Sequence, residues 1–469
     1  MNSRVNFQRI KKHVLTAAVA GASLFAMQSA NAANWMQLYG TTPRPGQSPH
    51  AKVWGFIQPL YSVTDGKKMT GLLGPVAGFN DTTAAFNRIG PDLNSTNSFN
   101  LFRARIGVRG TLTPLDNDLD YFILTEWGNN GQTYFNNQTP SVTDAFVTWN
   151  RFKKVARISF GAQKTPGPLE ASQVGIPVLP FVNFTTATQQ LILEKYIDPK
   201  ATLGGSAAAG YTFSKTDVTG MNAFRDTGLK VFNWFDFGPW ELSYSVMAGN
   251  GAPITKGNTT NSVDTYAMVK GAYILSGAGP YRNEASLWTW FHQGERKLSN
   301  LSDSNYNMAR FGVGGEFSRN QRRPMGFFVQ GGYMGGYGMI MTGSPFADAS
   351  CTSGAGAGCW KIYPDSYNRA WGDYLQGGFY VTHNVQLQLR YDYYDSLTNN
   401  KAAERTFTTW TVGGQYFLSN NTRFTVNYAI RDMKVPNASE IPAGPARTNA
   451  EAVADSMGNR LDLQLTAVF

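Results

Sequence analysis

Two cysteines in 469 residues, Cys351 and Cys359, are too few for a disulfide-stapled scaffold or a four-thiolate zinc site. Histidine is nearly as scarce, at 13, 50, 292 and 383. These lie on separate segments, and none is paired with a nucleophile or set at metal-ligand spacing. A Ser-His hydrolase therefore has no support here, although residues far apart in sequence can meet in space. Without a C-x-x-C-H motif the chain carries no covalent haem of its own, and we expect no cofactor and no metal. Charged residues make up 15%, against about 25% in ordinary soluble domains. No stretch reaches the roughly 18 consecutive apolar residues of a transmembrane helix. Basic residues do not cluster, which argues against nucleic acid as a partner.

Aromatics at 13%, 49 glycines and a mean hydropathy of −0.29 are what the chain has in place of charge and long apolar runs. That balance suits strands in which every second residue meets lipid and the rest meet water. The last eleven residues show it most plainly. Leu461, Leu463, Leu465, Ala467 and Phe469 share one parity, and Arg460, Asp462, Gln464, Thr466 and Val468 share the other. About eleven residues is the length of a tilted membrane strand, and the final Phe469 resembles the closing strand and assembly signal of bacterial outer-membrane barrels.

At the other end, Arg4, Arg9, Lys11 and Lys12 precede an uncharged, mostly small and apolar run from Val14 to about Met27, then Ala30-Asn31-Ala32. This is the layout of a secretory leader with an A-x-A cleavage site. We assign 1–32 to the leader and 33–469 to a single barrel. Four basic residues leave with the leader and no acids do, so the formal charge of +10 falls to +6. In an oxidising compartment Cys351 and Cys359 would pair across a Gly-rich loop, stabilising by roughly 2–3 kcal/mol on the chain-entropy model; free thiols are the alternative.

Alternating segments predict sixteen strands: 52–62, 100–112, 119–128, 141–151, 155–164, 224–236, 239–248, 264–275, 284–294, 307–318, 325–337, 371–382, 385–396, 405–418, 422–433 and 459–469. Connections alternate between long (64–98, 129–140, 165–223, 249–263, 338–370, 434–458) and short, as in barrels with outer loops and inner turns. Asp116-Asn117-Asp118 and Asn420-Asn421 are residues that tolerate left-handed backbone in tight hairpins. Trp127, Trp149, Trp234, Trp240, Trp371 and Tyr393 fall near strand ends, where interfacial girdles form. Residues 202–215 could be a strand, but counting them would break the parity, so we place them in the third long connection. Thr188–Tyr196 there favours a short helix. Pro166, Pro168, Pro177 and Pro180 restrict this connection, as a loop inserted into a pore requires; a disordered surface loop is the other reading. Gly331-Gly-Tyr-Met-Gly-Gly-Tyr-Gly338 marks close backbone packing within a strand, not a phosphate cradle.

Parity also sorts the charges. Phe102, Ala104, Ile106 and Val108 are expected to face lipid, with Arg103, Arg105 and Arg109 on the opposite face. A cation turned to lipid near midplane costs roughly 2–4 kcal/mol, so these arginines belong in the lumen. The same reasoning brings Arg157, Arg390, Arg423 and Arg431 inside. A column of guanidinium groups along a narrow wall gathers anions and offers a donor fork matched to phosphate or carboxylate. Asp120, Glu126, Asp144, Glu241, Asp392 and Asp462 share the inward parity, so the arginines could instead be paired off as mortar in the wall.

Leu101-Phe-Arg-Ala-Arg-Ile-Gly-Val-Arg-Gly-Thr-Leu112 resembles the second strand of the phosphate-selective porin O/P family. Arg157-Ile-Ser-Phe-Gly-Ala-Gln-Lys-Thr-Pro166 is similar to the strand leading into that family's third loop, and Arg225-Asp-Thr-Gly228 and Ala248-Gly-Asn-Gly-Ala252 also look like family stretches. The resemblance implies a sixteen-stranded homotrimeric channel in the outer membrane, with a pore-inserted third loop. It also implies a lumen arginine ladder that includes Arg103, Arg105, Arg109 and Arg157. Loop lysines contribute to phosphate selectivity in that family. Lys164, Lys195, Lys200 and Lys215 lie in or beside the third loop here, and Lys164 sits within a matching motif. The expected partners are small anions (phosphate or chloride) in the lumen, and lipid and lipopolysaccharide outside. A general porin or a non-conducting structural or adhesive barrel are the alternatives.

Overall fold

Strands here are held by alternation: one parity is apolar and uncovered, the other polar and enclosed. The computed structural model describes residues 51–86, 91–92, 97–112, 115–132, 140–214, 217–254, 257, 260, 262–277, 279–298, 305–343 and 359–469. The leader and the Cys351–Cys359 pairing lie outside the described residues.

Sixteen strands close an antiparallel barrel. They are β1 Lys52–Asp65, β2 Ser98–Thr111, β3 Leu119–Glu126, β4 Ser141–Trp149, β5 Arg157–Lys164, β6 Arg225–Phe237, β7 Trp240–Gly249 and β8 Asp264–Ser276. The second half comprises β9 Asn283–Lys297, β10 Asn305–Arg319, β11 Phe327–Tyr337, β12 Arg369–Tyr380, β13 Val385–Ser396, β14 Arg405–Phe417, β15 Thr422–Lys434 and β16 Asn459–Val468. Each expected segment is a strand, and each pairs with its chain neighbours. β1 closes the ring against β16 in the register Ile57↔Ala467 and Tyr61↔Leu463, with Gly55 and Phe469 exchanging backbone hydrogen bonds of 3.0 Å. A side chain at Gly55 would strike the Phe469 ring at 2.6 Å, so the closing contact requires glycine there. No helix among the described residues is long and apolar enough to cross a membrane.

The two faces separate sharply. On β2 Ile106 is 49% exposed and its neighbour Arg105 3%; on β16 Asp462, Gln464 and Thr466 are buried inside. The uncovered parity carries Val53, Ile57, Ile123, Leu229, Leu287, Val313, Leu375 and Leu389. A continuous apolar exterior of this kind is what a lipid-facing barrel presents.

One lipid-facing assignment changes. The β1–β2 register shifts at Gln58/Pro59, since proline has no N–H for the ladder and a bulge absorbs the break. Beyond it Phe102 turns inward and packs with Leu60 and Val182, not toward lipid. Trp234 also departs from the girdle: it packs against the interior cluster with the Arg157 guanidinium 3.7 Å from its ring. Trp127, Trp149 and Trp240 are exposed on the rims as expected. The turns differ too. Asp116-Asn117-Asp118 and Asn420-Asn421 do not use left-handed backbone, because side chains close them instead. Asp116 Oδ1 accepts from the Asp118 N–H at 2.8 Å, and Ser419 Oγ accepts from the Asn421 N–H at 3.2 Å. Positive φ falls on Gly238, Asn320 and Arg322.

Short turns (112–118, 150–156, 238–239, 277–282, 320–326, 381–384, 418–421) gather at one end of the barrel and the longer connections at the other. The alternation loosens at 298–304, which is no longer than the turn at 320–326. Residues 204–206 and 210–214 are strands, but they join a separate four-stranded sheet with Ile340–Thr342 and Cys359–Tyr363, so the barrel parity is kept. The expected helix over 188–196 is a single wide turn at Thr188–Ile192; Lys195–Ile197 is extended and pairs with Val218–Met221. The glycines of β11 meet aromatic rings: a Cβ at Gly332 would touch Tyr374 and one at Gly335 would touch Phe311.

The third long connection, 165–224, folds into the lumen. It joins Met69, Leu72 and Ala84 from 66–97 and Val453 and Met457 from 435–458 in one apolar cluster, which also takes in the inward Trp288, Trp290 and Phe407.

Candidate functional site: a basic chamber beneath the inserted loop

Hydrogen bonds to the far wall hold the inserted loop in place. The Val182 N–H donates to Asn427 Oδ1 at 2.9 Å on β15, and the Thr186 N–H donates to Asp392 Oδ1 at 2.8 Å on β13. Asn183 donates to Asp462 at 2.7 Å on β16, while Gln415 on β14 donates to the Pro180 carbonyl at 2.8 Å. Glu170 within the loop accepts from Thr185 and Thr188 and faces Arg390 at 3.6 Å; burial pushes its carboxyl above the usual range.

Below the loop, toward the short turns, lies a cavity of about 460 Å³. Basic side chains dominate its charge: Lys52, Arg105, Arg109, Lys164, Arg225, Lys230 and Arg423 line it, against one acid, Asp144. Arg105 is tied to Glu126 at 2.7 Å and Arg225 to Asp144 at 2.9 Å. Lys164 Nζ donates to the Val174 carbonyl at 3.0 Å and Arg423 donates to the Leu179 carbonyl, so the chamber wall also grips the loop. Seven cations and one carboxylate thus share the lining, and a low-dielectric wall around them concentrates the potential.

The other ladder positions lie apart from this chamber. Arg103 sits behind the loop, 2% exposed, donating to Gln58 at 3.1 Å and Gln132 at 3.2 Å, with its guanidinium 4.2 Å from the Phe102 ring. Arg157 stands near the turn end of the wall, bonded to Asn233 and laid over Trp234. Above the loop a second, much smaller cavity of about 30 Å³ takes in Arg390 and Arg431. Arg390 is held by Asp392 at 3.4 Å as well as Glu170, and Arg431 lies 4.7 Å from the Phe86 ring. Thus the eight candidates fall into three places: Arg105, Arg109, Lys164 and Arg423 in the chamber, Arg390 and Arg431 above the loop, Arg103 and Arg157 within the wall. Among the loop lysines, Lys195 donates to the Gln189 carbonyl at 3.2 Å, Lys200 is exposed, and Lys215 lies outside the described residues.

Sequence reasoning missed Lys52, Arg225 and Lys230. Lys230 was within reach, since exposed Leu229 and half-buried Val231 flank it and the cost of a lipid-facing cation would have turned it inward. Also unforeseen is the meeting of Glu194, Asp264 and His292, whose ligand atoms lie within 4.8 Å of one another. The Arg296 guanidinium lies between Glu194 and Asp264 and supplies the positive charge a cation would bring there.

No protein-family description and no curated relative matches the chain. Solved structures do. The anion-selective porin from Comamonas acidovorans superposes with a TM-score of 0.50 at 14% identity, covering 89% of this chain and 99% of that one. OmpF of Salmonella typhi, solved with daunomycin, gives 0.52 at 13%, covering 89% and 97%. The fold is that of a porin. At such identities the likeness reaches the architecture of the porin barrel and no further. What the lumen admits has to be argued from its own side chains.

Proposed function

We propose that this chain is an outer-membrane porin through which small anions, phosphate and chloride among them, diffuse past a set of basic side chains. The observation that carries the reading is the chamber's charge: seven cations face the cavity and one carboxylate does. An anion entering it exchanges hydration for guanidinium and ammonium donors, and several weak sites let it move on without being trapped. Arg105, Arg109, Lys164 and Arg423 would act in the chamber. Arg390 and Arg431 would act above the loop, and Arg103 and Arg157 would add to the field from within the wall. With short turns on the periplasmic side, as such barrels have them, the chamber would be the inner vestibule. The apolar outer face would meet lipid and lipopolysaccharide, and a homotrimer is the assembly implied by the resemblance to phosphate-selective porins.

A non-conducting structural barrel is the second reading. It is favoured by one observation: three connections pack together in the outer half of the lumen, and the cavity at Arg390 and Arg431 there measures about 30 Å³. Purified protein in a planar bilayer separates the two. A porin gives stepwise conductance, with a reversal potential in a salt gradient that favours chloride over potassium. A silent barrel supports the second reading, and a cation-favouring potential refutes the first.

A further inference from the structure

The lumen of a water-filled channel is ordinarily polar, and this chamber sets a broad apolar surface beside its cations. One wall carries a strip of rings: Trp54 on β1 lies 5.7 Å from Phe122 on β3, which stacks on Phe146 of β4 at 5.2 Å and 25°. The inserted loop adds Ile176, Pro177 and Val178 to the same cavity. The cations stand beside these rings. Arg109 is 5.8 Å from the Trp54 ring centre, Arg105 5.7 Å from Phe56, and Lys230 5.9 Å from Phe146. Hydrated chloride or phosphate gains nothing from such surface. A solute with a flat apolar body and a carboxylate would cover the rings while its charge reached the ammonium and guanidinium groups. The volume, about 460 Å³, falls in the range that accommodates small organic ligands.

We propose that the chamber is a binding station for aromatic carboxylates, favouring them over small carboxylates and over inorganic phosphate. The proposal rests on the anion-channel reading and adds the class of anion. Arg109, Lys164 and Lys230 would hold the carboxylate, and Trp54, Phe122 and Phe146 the ring.

The test is block of chloride current through the reconstituted full-length protein by sodium benzoate, sodium acetate and sodium phosphate at matched ionic strength. Bulk mobility and size rank benzoate as the poorer permeant. A ring-binding chamber makes it the stronger blocker, with a half-blocking concentration roughly tenfold below that of acetate or phosphate. Phe122→Ser and Val178→Ser, one on the wall and one on the loop, should each bring benzoate toward acetate while the chloride preference stays. The wild-type comparison alone decides the matter if either variant fails to assemble. An anion-selective channel in which acetate or phosphate blocks as well as benzoate overturns this proposal and leaves the anion porin standing. A cation-selective or silent barrel removes both.

Discussion

The two halves of the lumen use the same side chains to opposite ends. Above the inserted loop, Arg296, Arg310 and Arg390 are answered at short range. Arg296 is gripped by Glu194 and Asp264, Arg390 by Glu170 and Asp392, and Arg310 by five backbone carbonyls, those of Leu191, Ala309, Tyr337, Gly338 and Met339, at 2.9–3.1 Å. Below the loop, seven cations line a cavity whose lining includes one carboxylate, Asp144. An arginine that points inward is therefore mortar or lure according to what surrounds it, and parity cannot tell which. Parity reports only that the cation avoids lipid.

Breaking the mortar should have the largest effect. Arg296→Leu leaves the buried Asp264 and the neighbouring Glu194 without their cation, and truncating one partner of such a buried pair costs about 3–5 kcal/mol. The same guanidinium ties the inserted loop to β9, so the loop should loosen with it. The barrel should unfold at a lower temperature in detergent, read as earlier loss of the compact, heat-modifiable band on unboiled gels. A wild-type transition would show that the pair contributes little to holding the loop.

Reversing charge in the chamber should leave the fold intact and change its ion preference. Arg109→Glu combined with Lys230→Glu replaces two cations with two anions on one wall, and the chloride-to-potassium permeability ratio should fall roughly tenfold. Arg390→Gln, above the loop, should alter that ratio by less than about twofold, because its charge is already balanced by Glu170 and Asp392. Equal shifts from the two substitutions would erase the distinction between the halves. Replacing Arg103, Arg105 and Arg109 together by Ala should lower the preference chiefly through Arg105 and Arg109, which line the chamber, since Arg103 lies behind the loop.

How far the sequence could see follows from which forces are local. A two-residue period states which face meets lipid, and the cost of misplacing a charge there is large, so all sixteen strands and the inward arginines were legible. Phe102 and Trp234 escaped because a bulge at Pro59 and an aromatic seat beneath Arg157 are decided by a neighbouring strand. The path of the inserted loop was legible from its prolines as a constraint on freedom. Where it docks was not, because its anchors Asp392, Gln415, Asn427 and Asp462 come from strands more than two hundred residues away. The chamber's apolar strip was hidden for a related reason. Phe122 shares the inward parity of Asp120, and Phe146 that of Asp144, but their stacking on each other and beside Lys230 depends on strands that meet only when the barrel closes.

Salt sharpens the comparison with the smallest signal. The Debye length shrinks from about 30 Å at 0.01 M to about 3 Å at 1 M, so a preference produced by the basic lining of an open chamber should weaken steadily as potassium chloride is raised. Pairs buried above the loop are screened far less, because no mobile ions stand between Arg296 and its two carboxylates. Chloride-to-potassium permeability should therefore decline across that range, while the unfolding temperature of the same preparation, which depends on the buried pairs, changes little. A selectivity indifferent to salt would mean that close-range contacts, and not the field of the chamber, choose the ion.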